Sequence, residues 1–324
     1  LLSGERRAVF LGNEAVRHPQ FAALHALAQW IADNTGATLG FLTEAANTVG
    51  AHLVGALPRQ GGADARAMLE SPRKAYVVLN AEPEFDTADP QRALAALSQA
   101  GTVIVLSPFR SDAALQYADV ILPIAPFSET SGTYVNCEGV PQSFNGVVRP
   151  LGETRPAWKV LRVLGNLLDV PGFDYETAES VRDEALAEAI APRLNNRTSA
   201  AIQVAAPSAN GAVPAIERVA DVPIYHSDAI VRRADSLQLT AAARRAMQVG
   251  LSADLFAALG VAAGDPVRVT QGQGSVVLPA VLEEGLPANT VRVSAATPAA
   301  VGLGPMFGTV LVEKAVELAP VAAA

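Results

Sequence analysis

The sequence predicts an α/β domain with a parallel sheet flanked by helices, followed by a small β-rich domain. Two patterns support this. Over roughly the first 170 residues, continuous apolar stretches alternate with amphipathic helical stretches, which is typical of parallel strands covered on both faces. In the last third, short apolar stretches are separated by Gly/Pro turns, which indicates β structure. A chain of 324 residues is long enough to give each domain its own core.

The α/β part begins with a strand over residues 8–11 and a helix over residues 19–34. In this helix, apolar residues such as Phe21, Leu24 and Ile31 recur at intervals of three or four, which places them on one face. Further elements follow in the same alternating order. Strands are predicted at residues 38–42, 75–79, 102–106 and 120–122, and helices at 91–99 and 156–168.

A long polar stretch follows the strand at 120–122. We expect Pro123 to end that strand, and the stretch then runs to Gly146, rich in Ser, Thr, Asn and Gly. A loop of this length inside a compact domain is more often a binding surface than a simple connection. Cys137 lies within it, and we expect this residue to be a small, partly buried side chain without a nucleophilic role.

The composition changes after residue 172. An acidic helix is predicted at 175–190, and residues 191–222 are polar and irregular. A short helix at 255–259 and strands at 267–270, 275–281 and 291–294 then make up the β-rich part. We therefore predict an α/β domain over 1–172, a helix and linker over 173–222, a β-rich domain over 223–316 and a tail over 317–324.

The composition restricts the function. A net charge of −8 argues against a nucleic-acid partner, and the chain has no long uncharged apolar run that would span a bilayer. The one cysteine excludes an internal disulfide and any iron–sulfur cluster held by this chain alone, so a cytoplasmic location is expected. The chain opens without Met or a signal-peptide pattern, and we expect it to come from a longer polypeptide.

Candidate ligand-binding residues follow from the predicted sheet. In an open α/β sheet the ligand crevice lies at the carboxyl ends of the strands, where polar and glycine residues stand in this sequence. The same groups could instead satisfy one another and the loop backbone, and for the loop we favour that structural role. The candidates are Gly12, Asn13, Ser107, Glu129, Thr130, Gly132, Thr133 and Asn136.

Other potential sites lack the residues that their chemistry needs. The four histidines are dispersed and predict no metal site. The arginine pairs Arg232-Arg233 and Arg244-Arg245 are expected on a solvated or subunit-facing surface. The sequence holds no nucleophile elbow, zinc-protease motif or P-loop, so no catalytic residue is predicted.

Two stretches carry a resemblance to known families. ADVILPIAPFSETSGTYVNCEGVPQSFNG, at residues 118–146, resembles a segment of the molybdopterin oxidoreductase superfamily. With the residues up to 168, it is similar to the large iron–sulfur subunit of NADH-quinone oxidoreductase, the bacterial respiratory complex I. The run from 258 to 294 resembles the double-psi β-barrel that ends molybdopterin oxidoreductases.

The resemblance to complex I implies a scaffold part of the peripheral arm, non-catalytic in itself, that supports electron transfer from NADH to quinone in the respiratory chain. It implies iron–sulfur clusters in a missing amino-terminal part, molybdopterin absent, other peripheral-arm subunits as partners, and a place on the inner face of the bacterial plasma membrane. The alternative is the carboxy-terminal part of a true molybdopterin oxidoreductase, of the formate dehydrogenase or nitrate reductase type. There the loop at 128–136 and the barrel would hold a pterin dinucleotide.

Overall fold

The structure is a computed structural model that describes residues 3–202 and 215–316. The predicted tail and part of the predicted linker lie outside these residues. The strands are β1 Ala8–Leu11, β2 Thr38–Phe41, β3 Ala75–Leu79, β4 Thr102–Ser107, β5 Val120–Ala125, β6 Gly132–Val135, β7 Pro141–Phe144, β8 Arg155–Pro156, β9 Ile216–Val219, β10 Val249–Leu251, β11 Pro266–Gln271, β12 Gly274–Leu282, β13 Thr290–Arg292 and β14 Gly308–Lys314.

Most helices are short. They are α1 Asn13–Arg17, α2 Phe21–Thr35, α3 Thr48–Leu53, α4 Ala65–Glu70, α5 Pro83–Asp86, α6 Pro90–Ser98, α7 Ala114–Tyr117, α8 Ala157–Leu167, α9 Ala178–Ala185, α10 Ala229–Arg232, α11 Asp235–Gln238, α12 Ala241–Ala246 and α13 Ala253–Ala258.

The chain forms two compact units, and each is assembled from two separate stretches. Residues 1–64 and 123–209 make the first unit, and residues 65–122 and 210–324 make the second. The chain passes from the second unit to the first within β5. The domain boundaries predicted at 172 and 222 stay predictions.

The first unit opens with a parallel β1–β2 pair, registered from Ala8 opposite Thr38 to Leu11 opposite Phe41. Helix α2 lies between the two strands, buries Ala26, Ala28 and Ala32, and ends at Gly36 in the left-handed conformation that suits glycine. Later in the unit, β6 and β7 form an antiparallel hairpin, and the last residues of β5 pair with β8.

The α/β part of the second unit contains the parallel β3–β4 pair, registered from Ala75 opposite Thr102 to Leu79 opposite Leu106. Its core consists of side chains from these strands and from the helices beside them. Those buried residues are Leu97, Val103, Val105, Ala114 and Tyr117.

The carboxy-terminal part of the second unit is a closed barrel with strand order β10-β12-β11-β14-β9-β13. It mixes the parallel pairs β10–β12 and β13–β9 with antiparallel pairs. Val249, Leu251, Val267, Val269 and Val291 are fully buried at its centre. Parallel strands with flanking helices, followed by a β-barrel, are the fold class that the sequence predicts.

Several elements differ from the prediction: strand β9 lies within residues 191–222, which are predicted to be irregular, and strands β10 and β14 are not predicted. Three further differences concern predicted elements. Strand β5 continues through Pro123 to Ala125; its pairing with β8 begins only at Ile124, so the missing N–H of Pro123 interrupts no hydrogen bond with that neighbour. The acidic helix is shorter than predicted, because a capping box at Thr177 and Ser180 starts it late. The long polar loop contains the β6–β7 hairpin, whose alternating polar residues do not stand out as a strand pattern.

Candidate functional site

Two candidate residues lie at the carboxyl end of β1. Gly12 precedes helix α1, and its carbonyl oxygen accepts hydrogen bonds from the amides of Ala15 and Val16 at 3.1 Å each. A Cβ built at Gly12 would meet nothing within 4 Å. Asn13 is the first residue of α1 and is exposed. The backbone here has room for a ligand, as expected of a strand end.

The polar side chains of the predicted loop hydrogen-bond to their own surroundings. A Glu129 carboxylate oxygen accepts from the Leu151 amide at 3.0 Å, and the Thr130 hydroxyl donates to the Ser131 carbonyl at 3.2 Å. Across the hairpin, the hydroxyls of Thr133 and Ser143 lie 2.9 Å apart. These three candidates therefore hold the hairpin and the segments beside it in shape.

Gly132 is required by packing. A Cβ at this position would lie 2.8 Å from the ring of Phe144, which itself packs edge-on against Tyr134 with ring centroids 4.8 Å apart. The aromatic pair therefore occupies the space that a side chain at 132 would need.

Asn136 shapes the turn that joins β6 to β7. Its side-chain oxygen accepts from the amides of Glu138 and Val140 at 3.0 Å each, which is the local bonding that favours Asn in turns. Its neighbour Cys137 is exposed, not partly buried as expected, because it lies at the outer edge of this turn.

Ser107 belongs to the second unit and ends β4. Its side chain is buried, and its hydroxyl accepts from the Phe109 amide at 3.1 Å. The structure thus gives this candidate a role in turning the chain after the strand.

A buried ion cluster lies beyond the end of β3, and the sequence reasoning missed it. The Glu82 carboxylate forms ion pairs with the guanidinium groups of Arg232, at 2.7 Å, and Arg233, at 2.5 Å. Arg232 also forms an ion pair with Asp86. The guanidinium groups stack on aromatic rings, Arg232 on Phe85 and Arg233 on Phe109. The expectation of a solvated Arg232-Arg233 pair is wrong for Arg232, whose side chain is only 7% exposed.

The pKa values of Glu82 and of its neighbour Glu84 are shifted in opposite directions. Burial raises the pKa of Glu82, but hydrogen bonds from Arg233 and Arg232 outweigh it, so the pKa lies below its usual range. Burial and the charges of Glu82 and Asp86 raise the pKa of Glu84. One Glu84 carboxylate oxygen is buried without a hydrogen-bond partner in the described part of the chain.

A cleft of about 580 Å³ opens in the second unit, between the start of α6 and the loops of the barrel. Part of its wall is formed by Gly272, Gly304 and Gly308, whose φ values of 59°, 126° and 119° lie in a region that favours glycine. The cleft is lined by Asp89, Gln91, Arg92, Gln271, Gly272, Gln273, Leu303, Gly304, Pro305, Phe307, Gly308 and Thr309.

Arg218 lies directly behind this wall and is almost fully buried. Its guanidinium donates to the Gln271 side-chain oxygen at 3.0 Å and to the Pro305 carbonyl at 2.9 Å, and more weakly to the carbonyls of Gly304 and Val293. Burial lowers the pKa of Arg218 to about 10, so the group stays charged at neutral pH. A positive charge therefore stands behind the glycine wall.

A second cleft, of about 500 Å³, lies in the first unit. Arg59 and Arg193 line it together with Glu184 and Glu188, so cations and carboxylates balance. The Tyr175 hydroxyl also lines this cleft, and its hydrogen bond to Glu184 raises the tyrosine's pKa. This cleft has no excess charge to select an anion.

No group of three or more His, Cys, Asp or Glu side chains within residues 3–202 and 215–316 is placed to hold a metal ion. Over the same ranges, no helix has both the length and the apolar character to cross a bilayer.

Comparison with known structures supports the fold. The chain is similar to acetylene hydratase from Pelobacter acetylenicus, with a TM-score of 0.54 and 15% sequence identity. The similarity covers 77% of this chain and 46% of that one, so the chain spans less than half the length of that relative. No curated protein sequence matches.

The family model for molybdopterin oxidoreductases matches residues 1–167 of the 324. This match overturns the expectation that molybdopterin is absent, because it points toward the molybdopterin cofactor. The expectation that molybdopterin is absent came from the resemblance to the complex I subunit. Since the match covers just over half of the sequence, the chain belongs to the molybdopterin oxidoreductase family.

Proposed function

We propose that this chain forms part of a molybdopterin oxidoreductase and that the cleft of the second unit holds the nucleotide end of a pterin dinucleotide. The cofactor, when bound, carries the molybdenum or tungsten ion at which substrate is oxidised or reduced. The residues of this chain bind and orient it. The observation that carries the proposal is a cleft whose wall includes three glycines, Gly272, Gly304 and Gly308, with the buried charge of Arg218 behind it.

The residues of the cleft fit such a group. A volume of about 580 Å³ suits a nucleotide-sized ligand. The glycines let a ligand approach the main chain, and the exposed Gln273 side chain offers both a hydrogen-bond donor and an acceptor for a base or ribose.

Seven of the eight candidates from the sequence enter this proposal, in two ways, whereas Ser107 turns the chain after β4. Gly12 and Asn13 remain open positions at a strand end and are proposed ligand contacts. The five candidates of the loop are proposed to shape it, because each hydrogen-bonds to or packs against nearby residues. They are Glu129, Thr130, Gly132, Thr133 and Asn136.

The test is cofactor analysis of the intact protein that contains this chain, purified without oxygen from its native cells. We expect a fluorescent pterin derivative after acid and iodine oxidation, together with molybdenum or tungsten by mass spectrometry. A preparation that lacks both, while retaining its native subunits, would contradict the proposal. A sample heated and dialysed before analysis controls for loosely bound metal.

A second candidate places the chain in the large iron–sulfur subunit of bacterial complex I, as a scaffold that supports electron transfer from NADH to quinone. The resemblance over residues 118–168 and the internally bonded hairpin favour it. In that case the chain would co-migrate with NADH-oxidising peripheral-arm subunits on native gels of membrane extracts, on the inner face of the plasma membrane. Migration apart from that activity would exclude this candidate.

A further inference from the structure

We propose that the cleft of the first unit binds short peptides that carry both a free ammonium group and a free carboxylate group. The inference goes beyond the proposed function, which concerns the cleft of the second unit. It is carried by side chains of opposite charge that line one cleft without pairing with each other: Arg59, Arg193, Glu184 and Glu188.

The two arginines of this cleft lie at the end of helix α3. The Arg193 guanidinium donates a hydrogen bond to the carbonyl of Leu53, the last residue of that helix. Gly55 follows with a φ of 71°, and a Cβ at this position would clash with the Arg59 guanidinium. Both cations are therefore held near the carbonyl end of the helix, where basic side chains are favourable.

The two glutamates of the cleft lie at the end of helix α9. Glu184 is in the last turn and accepts a hydrogen bond from the Tyr175 hydroxyl, and Glu188 follows the helix. Negative charges are unfavourable at this end of a helix, because its free carbonyl groups carry partial negative charge. The ammonium group of a ligand would offset this unfavourable interaction.

The four charges do not compensate one another by direct contact. Within residues 3–202 and 215–316, none of the four side chains forms an ion pair. A cleft of about 500 Å³ lined by both signs has room for a ligand among them. A singly charged ligand is attracted by one pair of side chains and repelled by the other, whereas a ligand with both charges is attracted by both pairs.

The form of the ligand follows from the separation of the charges and from the rest of the lining. The cations and the carboxylates come from the ends of two different helices. A free amino acid carries both of its charges on one carbon, whereas a short peptide carries them at opposite ends. Leu53, Val54 and Val181 also line the cleft and would contact apolar side chains of the peptide.

The experiment measures peptide binding to the intact protein that contains this chain. Calorimetry is done at low ionic strength, because salt screens exposed charges. The probes are leucyl-leucine, diglycine, leucine, N-acetyl-leucyl-leucine and leucyl-leucine amide, the last two of which keep only one charge. We expect leucyl-leucine to bind at least about tenfold more tightly than each of the others, a difference of roughly 1.4 kcal/mol. Equal affinity for either singly charged derivative, or no binding of leucyl-leucine, would overturn the inference.

Variants assign each charge of the ligand to its partners. Glu188→Gln should reduce the advantage of leucyl-leucine over its N-acetyl derivative, and Arg59→Gln should reduce its advantage over the amide. Each change should weaken leucyl-leucine binding by about twofold to fivefold, as expected for an exposed ion pair. Both positions are exposed, so these changes remove charge without disturbing a core.

Matched controls change exposed residues of the same unit that do not line the cleft. Glu179→Gln, on helix α9 itself, and Arg149→Gln should leave peptide binding unchanged. Controls that weaken binding as much as the cleft variants would overturn the inference, because only the net charge of the protein would then matter. Glu188→Gln and Arg59→Gln variants that reduce both advantages equally would overturn it as well.

Discussion

Glu84 shows how a single residue can set the pH dependence of this fold. It is 4% exposed, and one carboxylate oxygen lacks a partner among the described residues. Tyr117, whose pKa is raised by burial and by the charges of Glu84 and Glu82, is another buried titratable group of this neighbourhood. A raised carboxyl pKa means that the folded state favours the proton more than the unfolded state does.

We predict that Glu84→Met flattens the pH dependence of stability. The contribution of Glu84 is fully present below its unfolded pKa and is lost as pH rises through the raised folded pKa. The variant should therefore gain stability relative to wild type as pH rises from about 4 to 8. Urea unfolding at a series of pH values measures this. Glu284→Met, an exposed glutamate of the same unit, is the control and should show no such trend.

Gly132→Ala should destabilise the first unit by about 1–3 kcal/mol, because its Cβ would press into the Phe144 ring. Gly12→Ala, in the same unit, meets nothing within 4 Å and should cost far less. Chemical denaturation of both variants compares them. Equal losses would mean that the aromatic pair yields easily and that packing does not explain Gly132.

At the scale of elements, the ion cluster ties helix α5 to helix α10, two segments about 150 positions apart in sequence. Both Arg232 and Glu82 are nearly buried, so each charge depends on the other for compensation. Separate elements of the second unit are thus joined by paired charges as well as by apolar packing.

Arg232→Met should destabilise the protein by about 3–5 kcal/mol, because it leaves Glu82 buried with only the less buried Arg233 as partner. Arg268→Met breaks an exposed pair with Glu313 and should cost about 1 kcal/mol or less. The double variant Glu82→Met with Arg232→Met should recover much of the loss. If urea unfolding shows the double variant to be as unstable as the sum of the single ones, charge compensation is not the cause.

At the scale of the whole molecule, cofactor binding and stability should be linked. A ligand that binds only the folded state stabilises it, by about 2.7 kcal/mol at a hundredfold excess over Kd. We predict that removing the cofactor from the intact protein lowers its Tm. Scanning calorimetry of the loaded and the stripped protein tests this. An unchanged Tm on stripping would contradict the proposed role of the cleft.

The fold class and the positions of the apolar strands of the α/β part could be predicted from the sequence alone. Strands such as Ala8–Leu11 and Ala75–Leu79 follow directly from continuous apolar stretches in the sequence, although alternate residues of both strands are exposed in the structure. The resemblance at residues 118–146 also pointed to the superfamily that the family model confirms. The β6–β7 hairpin inside this stretch is not predicted, because neither of its strands forms a continuous apolar stretch.

The positions of the buried charges and of the cleft depend on tertiary contacts and could not be predicted from the sequence. Arg232 reads as a surface residue in sequence, yet folding buries it against Glu82. The cleft combines residues near 90 with residues of the turns at 272 and 304–308, and Arg218 lies behind its wall on a fourth segment. Such sites depend on chain closure over long separations, whereas local periodicity reports only which face of each element is buried.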